Sequence, residues 1–186
     1  RVLTPMLRLQ DKQRSGKQRL YRPHMVYLEG NHEHRLPRYL ERNPELDGSL
    51  DVMSDLRLAA RDIEWVSYGD YYFDAKHGVQ FTHAPLNAAN QAPSGKYGIE
   101  RVLEMVAAST VFGHFHRWCA VDMQMHGHGG RTVKVLSAGC FFEHVPDYVK
   151  FAAKRYWRGV TLLTHVGYGD FDVEQYSIER LRHDFG

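Results

Sequence analysis

The sequence predicts an α/β fold, on the strength of apolar runs that end abruptly in polar chemistry and of one strand-helix-strand unit. Val26-Tyr27-Leu28-Glu29 is a β-branched and aromatic run that meets Gly30 and then releases Asn31-His32-Glu33-His34-Arg35. Val79-Gln80-Phe81-Thr82 likewise ends in His83, and Thr110-Val111-Phe112 ends in Gly113-His114-Phe115-His116. Helical spacing separates the last two runs, so residues 79 to 113 read as a βαβ unit whose strands are parallel and share one carboxyl edge. Ligands of open α/β sheets sit beyond that edge. His83 and His114 are therefore expected side by side, and Gly30 is expected to supply the backbone freedom for a sharp exit.

Composition bounds the rest. At 186 residues, 43% hydrophobic and 25% charged, the chain suits one domain with a sizeable core. The 24 basic and 22 acidic residues nearly cancel, so net charge by itself points to no polyanionic partner. The 12 histidines are more informative, because imidazole is the commonest metal ligand and the usual proton shuttle near neutral pH. Cys119 and Cys140 stand far apart with no Cys-x-x-Cys spacing, so neither a disulfide framework nor a cysteine-based zinc site is indicated and the cytoplasm is the default compartment. No apolar run approaches the roughly 18 residues that span a bilayer.

Taken in order, residues 1 to 24 form a basic arm or loop in which Asp11 is the single acid, and residues 25 to 186 form the domain. The polar stretch from Gln13 to Arg19 reads as a solvated loop, with nucleic-acid contact as the alternative. A strand from Met25 to Glu29 follows Pro23. Helical spacing then brings Leu36, Tyr39 and Leu40 to one side until Asn43-Pro44 stops it. A second helix is expected from about Ser49 to Ala60, then short strands at Ile63 to Ser67 and Tyr71 to Phe73 around a Gly69-Asp70 turn. Asn87 to Lys96 is a loop, and Tyr97 to Ser109 a helix carrying Ile99, Val102, Leu103 and Val106. Arg117 to Met123 and Arg131 to Leu136 pair as a hairpin whose glycine-flanked tip exposes His126 and His128. Ala138-Gly139-Cys140 closes another strand, Phe141 to Tyr156 is an aromatic-rich excursion, and Gly159 to Val166 with Phe171 to Ile178 finish the sheet as a second hairpin.

Neutral imidazoles and an amide oxygen suit a borderline divalent ion such as Zn²⁺, Mn²⁺ or Fe²⁺. Gly30-Asn31-His32-Glu33, His83 in Thr-His-Ala-Pro, and Gly113-His114-Phe115-His116 together resemble the last three motifs of the calcineurin-like metallophosphoesterases, in order and spacing. Ser137-Ala138-Gly139-Cys140 is similar to a strand end of bacterial and phage members. The resemblance covers the chain from about residue 25 onward. It implies a β sandwich flanked by helices and a phosphomonoesterase or phosphodiesterase with two divalent ions about 4 Å apart and a metal-bound water as nucleophile. Carried over by motif, Asn31, His83 and His114 hold one metal, and His116 is a ligand of the other. His32 faces the substrate and protonates the departing alkoxide, and Glu33 anchors its loop. His34 and Arg35 are candidates for phosphate contact.

The chain departs from the family at its start, since neither Asp-x-His nor Gly-Asp-x-x-Asp precedes Gly30. Gly69-Asp70 and Gly169-Asp170 come too late to take those roles. The expectation is a domain without its first β-α-β portion, the C-terminal part of a longer enzyme whose remaining segment completes the site, or else a chain that self-associates through exposed strand edges. The alternatives are a catalytically incomplete module that binds nucleic acid through residues 1 to 22, and a hydrolase with one metal held by Asn31, His83 and His114. Residues 86 to 98 and 140 to 156 are the expected specificity loops.

Overall fold

A computed structural model describes residues 4–126, 130–142, 149 and 152–186. Nine strands are formed among them, β1 (Met25–Leu28), β2 (Ile63–Val66), β3 (Tyr72–Asp74), β4 (Val79–Thr82), β5 (Ser109–Phe112), β6 (Trp118–Gln124), β7 (Thr132–Ala138), β8 (Gly159–Gly167) and β9 (Asp170–Ser177). The helices are α1 (Thr4–Ser15), α2 (Arg35–Arg42), α3 (Val52–Asp55), α4 (Gly98–Met105) and α5 (Ile178–Phe185).

A mixed sheet of five strands in the order β3-β4-β5-β7-β6 is the centre of the fold. Its inner strands β4, β5 and β7 run parallel, and β3 and β6 join the two edges antiparallel. A strand covered on both faces needs apolar or hydrogen-bonded residues throughout. All four residues of β5 are buried accordingly, and Ser109 Oγ accepts from the Lys134 N–H at 3.0 Å while Thr110 Oγ1 donates to the Ala108 carbonyl at 2.8 Å.

Side chains alternate across a strand, so neighbouring β7 residues build opposite cores. On one face Val133 and Val135 meet Ile99, Val102 and Leu103, the apolar stripe of α4 at helical spacing. On the other, Val79, Val111 and Leu136 meet Phe171, Leu163, Val166 and Val173 of the antiparallel β8-β9 hairpin. The Lys134 ammonium fastens the hairpin by donating to the Phe171 carbonyl at 2.9 Å and pairing with Asp170 at 2.5 Å. Helix, sheet and second β layer are thus stacked around two apolar cores.

β1 and β2 form a separate parallel pair, Met25 opposite Ile63 through Leu28 opposite Val66, with Tyr27 and Trp65 stacked at 5.3 Å. The pair stops where Glu29 N–H bonds the Val66 carbonyl at 2.9 Å, and the site begins there.

Several expectations are corrected. β1 lies outside the sheet that carries β4 and β5, so only two of the three histidine-tipped strands are neighbours within one sheet. β2 and β3 belong to different sheets and are not a hairpin. The expected helix at 49 to 60 shrinks to α3, because Leu50, Met53 and Leu56 are exposed and only Leu58 finds a buried place to dock. β8 and β9 form their own layer, and Ala138 ends β7, so Ala138-Gly139-Cys140 closes no strand separate from it. The basic arm carries the exposed helix α1, and α5 was unexpected. His126 is exposed as expected, whereas His128 and much of 141 to 156 lie outside the described residues. Among the described residues no helix is long and apolar enough to cross a membrane.

Leu136→Ala should cost about 2–5 kcal/mol, because the fully buried side chain cannot be replaced by movement of two packed layers. Urea unfolding checks this, with the midpoint falling and the slope unchanged; a loss below about 1 kcal/mol would place Leu136 outside the core.

Candidate metal centre

The parallel register Thr82 opposite Phe112 makes the next residues neighbours, and Gly113 N–H bonds the His83 carbonyl at 3.1 Å. The His83 and His114 rings consequently meet edge to face, 5.5 Å between centroids. From the β1 tip, Asn31 reaches the same place, with its Oδ1 3.1 Å from His83 Nε2. Asn31, His83 and His114 are therefore brought together by three strands of two sheets.

His116 and His32 complete the group. The His114 and His116 imidazoles are held below the ordinary range first by burial, and both are further lowered by His32. Burial, then the neighbouring His114, pushes His83 down to about 4, with His116 and His32 adding in the same sense and Glu33 opposing them. Neutral imidazole nitrogens are lone-pair donors, which is the state metal ligation requires. His32 itself is exposed.

The backbone carries strain at the same point. His114 and His116 both occupy the left-handed region, at φ 63° and 56°, and the Phe115 N–H closes a three-residue turn onto the Gly113 carbonyl at 2.7 Å. Such conformations cost on the order of 1–3 kcal/mol each and persist only where the surroundings enforce them. The enforcement is visible. The His116 ring stands edge-on to Phe142 at 5.2 Å and to Tyr156 at 4.8 Å, and its carbonyl accepts from the Trp157 N–H at 2.9 Å.

Gly30 differs from expectation in its reason. Its φ is not left-handed; the constraint is space, because a Cβ there would strike the Glu33 carboxylate and come within 3.3 Å of His83 Cε1. Glu33 turns back toward the Tyr27 hydroxyl, which burial and then that carboxylate push up to about 12. It therefore sits inside the loop, in keeping with an anchoring role.

The sequence reading missed Glu29. This buried carboxylate accepts from the Tyr68 N–H at 2.8 Å and lies 3.5 Å from His34 Nδ1, so it ties the β1 tip to the chain after β2. Its only signal was an acid closing an apolar run. His34 is thereby engaged in the scaffold, its ring 5.0 Å from Tyr68. Arg35 lies beside it in a cleft of about 440 Å³.

One pair of the expected donors has a separation that a single ion could bridge. Two ligands at about 2.1 Å and right angles on one cation lie about 3 Å apart, which is the separation of Asn31 Oδ1 from His83 Nε2. Among the described residues no group of three or more His, Cys, Asp or Glu is arranged to hold a metal.

In EDTA, stability should fall as pH drops from about 6.5 towards 4, because the unfolded chain takes up protons in that window that folded His83 refuses. Above about 6.5 neither state binds the proton and the penalty is absent. Urea midpoints measured from pH 4 to 7 should slope less in His83→Gln; an unchanged slope would remove His83 from the account.

Compared with protein-family models, with curated proteins and with solved structures, the chain finds no match.

Proposed function

We propose that the chain is a metal-dependent phosphoesterase of the calcineurin-like kind, hydrolysing a phosphomonoester or phosphodiester in the cytoplasm. The metallophosphoesterase β sandwich is the corresponding finer reading of its α/β layers. The observation that carries the proposal is the convergence of Asn31, His83 and His114 from three strand ends, with His116 adjacent and His32 exposed above them.

Asn31, His83 and His114 would hold one divalent ion, Mn²⁺, Fe²⁺ or Zn²⁺, and His116 one position of a second. Bound there, such ions withdraw charge from phosphoryl oxygens and lower the pKa of water. The chain's own residues do the rest. His32 donates a proton to the departing alkoxide oxygen, and its exposed position lets it exchange that proton with solvent between turnovers. Glu29 and Glu33 hold the loop that carries Asn31 and His32. The tight turn at Gly113 fixes where the His114 and His116 rings stand, so no reorganisation is needed when the substrate arrives.

The lack of a carboxylate ligand among the described residues favours one second reading, a module that keeps the fold and binds without hydrolysis, with α1 and the rest of residues 4 to 22 as its contact. There Arg8, Lys12 and Arg19 are exposed, and Asp11 is spent on Arg14 at 3.1 Å.

The test is hydrolysis of p-nitrophenyl phosphate and bis-p-nitrophenyl phosphate with Mn²⁺, beside chelated protein and His32→Ala. Turnover should require Mn²⁺ and fall about 10²–10⁴-fold in the variant, the range for removal of a general acid. Turnover indifferent to chelation or to His32→Ala contradicts the proposal.

A further inference from the structure

The geometry points to a single nucleic-acid strand as the substrate, with the scissile phosphate at the histidine cluster and flanking phosphates held in a cationic cleft on either side. This rests on the phosphoesterase reading of that cluster. One cleft, about 440 Å³, is bordered by Asn31, Arg35, Arg38, Tyr68 and Asn90. The other, about 460 Å³, is bordered by His114, Lys96, Arg117, Arg155 and Tyr156. Asn31 borders the first cleft and His114 the second, and the His83 side chain contacts both of these residues.

Their electrostatics are one-sided. Neither cleft is lined by an Asp or Glu among the described residues. None of Arg35, Arg38, Lys96, Arg117 and Arg155 is in an ion pair among the described residues, although acids and bases are nearly equal in number along the chain. Glu29 and Glu33 border a different, apolar hollow beside Trp65. Cations unneutralised on both sides of a reactive centre attract a ligand that is charged on both sides of its reacting bond.

A small phosphomonoester occupies one cleft at most and leaves the other without purpose. A phosphodiester chain uses both. The rims also offer rings for its bases, Tyr68 in the first cleft and the 57% exposed Tyr97 beside Lys96 at the second, the combination by which single strands are held without sequence preference.

The experiment is fluorescence anisotropy with fluorescein-labelled oligothymidylates of 2 and 12 nucleotides, with binding read in EDTA and cleavage read in Mn²⁺. The 12-mer should bind at least about tenfold more tightly than the 2-mer, with a log affinity against log salt slope of about −3, as four or so phosphate contacts give. Arg38→Ala and Lys96→Ala change exposed residues on opposite sides and should each flatten that slope by about 0.7. Equal affinity for the two lengths, an effect confined to one cleft, loss of binding through Arg8→Ala instead, or equal displacement by a phosphoserine peptide would each overturn the inference. Length-dependent binding with no cleavage in Mn²⁺ would sink the phosphoesterase reading and leave the two-sided tract standing.

Discussion

The parallel pairing of β4 with β5 is the constraint on which the rest of the molecule depends. Its register aligns Thr82 with Phe112, so the residues that follow leave the sheet together and the His83 carbonyl takes the Gly113 N–H. Parallel neighbours require a crossover, and α4 supplies it while covering one face. The opposite face is covered by the β8-β9 hairpin. A buried central sheet, closed on both sides, gives the cluster a rigid edge from which to project.

Stability and site chemistry pull against each other along that edge. Left-handed histidines cost folding free energy, half-buried imidazoles that resist protonation add a cost in acid, and His114 and His116 carry both. The surrounding structure meets them with aromatic contacts and backbone hydrogen bonds: Phe142 and Tyr156 against His116, Trp157 N–H to its carbonyl, and Cys140 N–H to the Trp157 carbonyl at 2.9 Å. A fold selected for stability alone would relieve the strain with glycine. Retaining two imidazoles there instead makes sense if the rings are used.

The sequence was legible where local pattern and tertiary burial agree. The unit from Val79 to Phe112 was readable because apolar strands, a helical stripe and a Pro- and Gly-rich loop alternate without conflict, and the same logic put His83 beside His114. It failed where apolar residues stay exposed: Leu50 and Met53 mimic a helix face that has nothing to pack on. It also failed on sheet membership, since alternation reveals a strand and not its partner, which is why β1 and β8 were assigned to the wrong sheet. Site residues announced by glycine and histidine spacing converged as expected. Glu29 and the cleft cations gave no such signal, because one acid in a strand or one arginine on a surface looks like any other, although Lys96, Arg155 and Tyr156 do fall in the loops expected to set specificity.

The claim underlying all of this is that the carboxyl edge of β4 and β5, met by the β1 tip, is a cation site. Anomalous diffraction at the manganese edge from crystals soaked in Mn²⁺ tests it most directly. The account predicts a peak about 2.1 Å from both Asn31 Oδ1 and His83 Nε2, replacing their direct contact. Anomalous density found only at surface carboxylates, with that hydrogen bond intact, would contradict it.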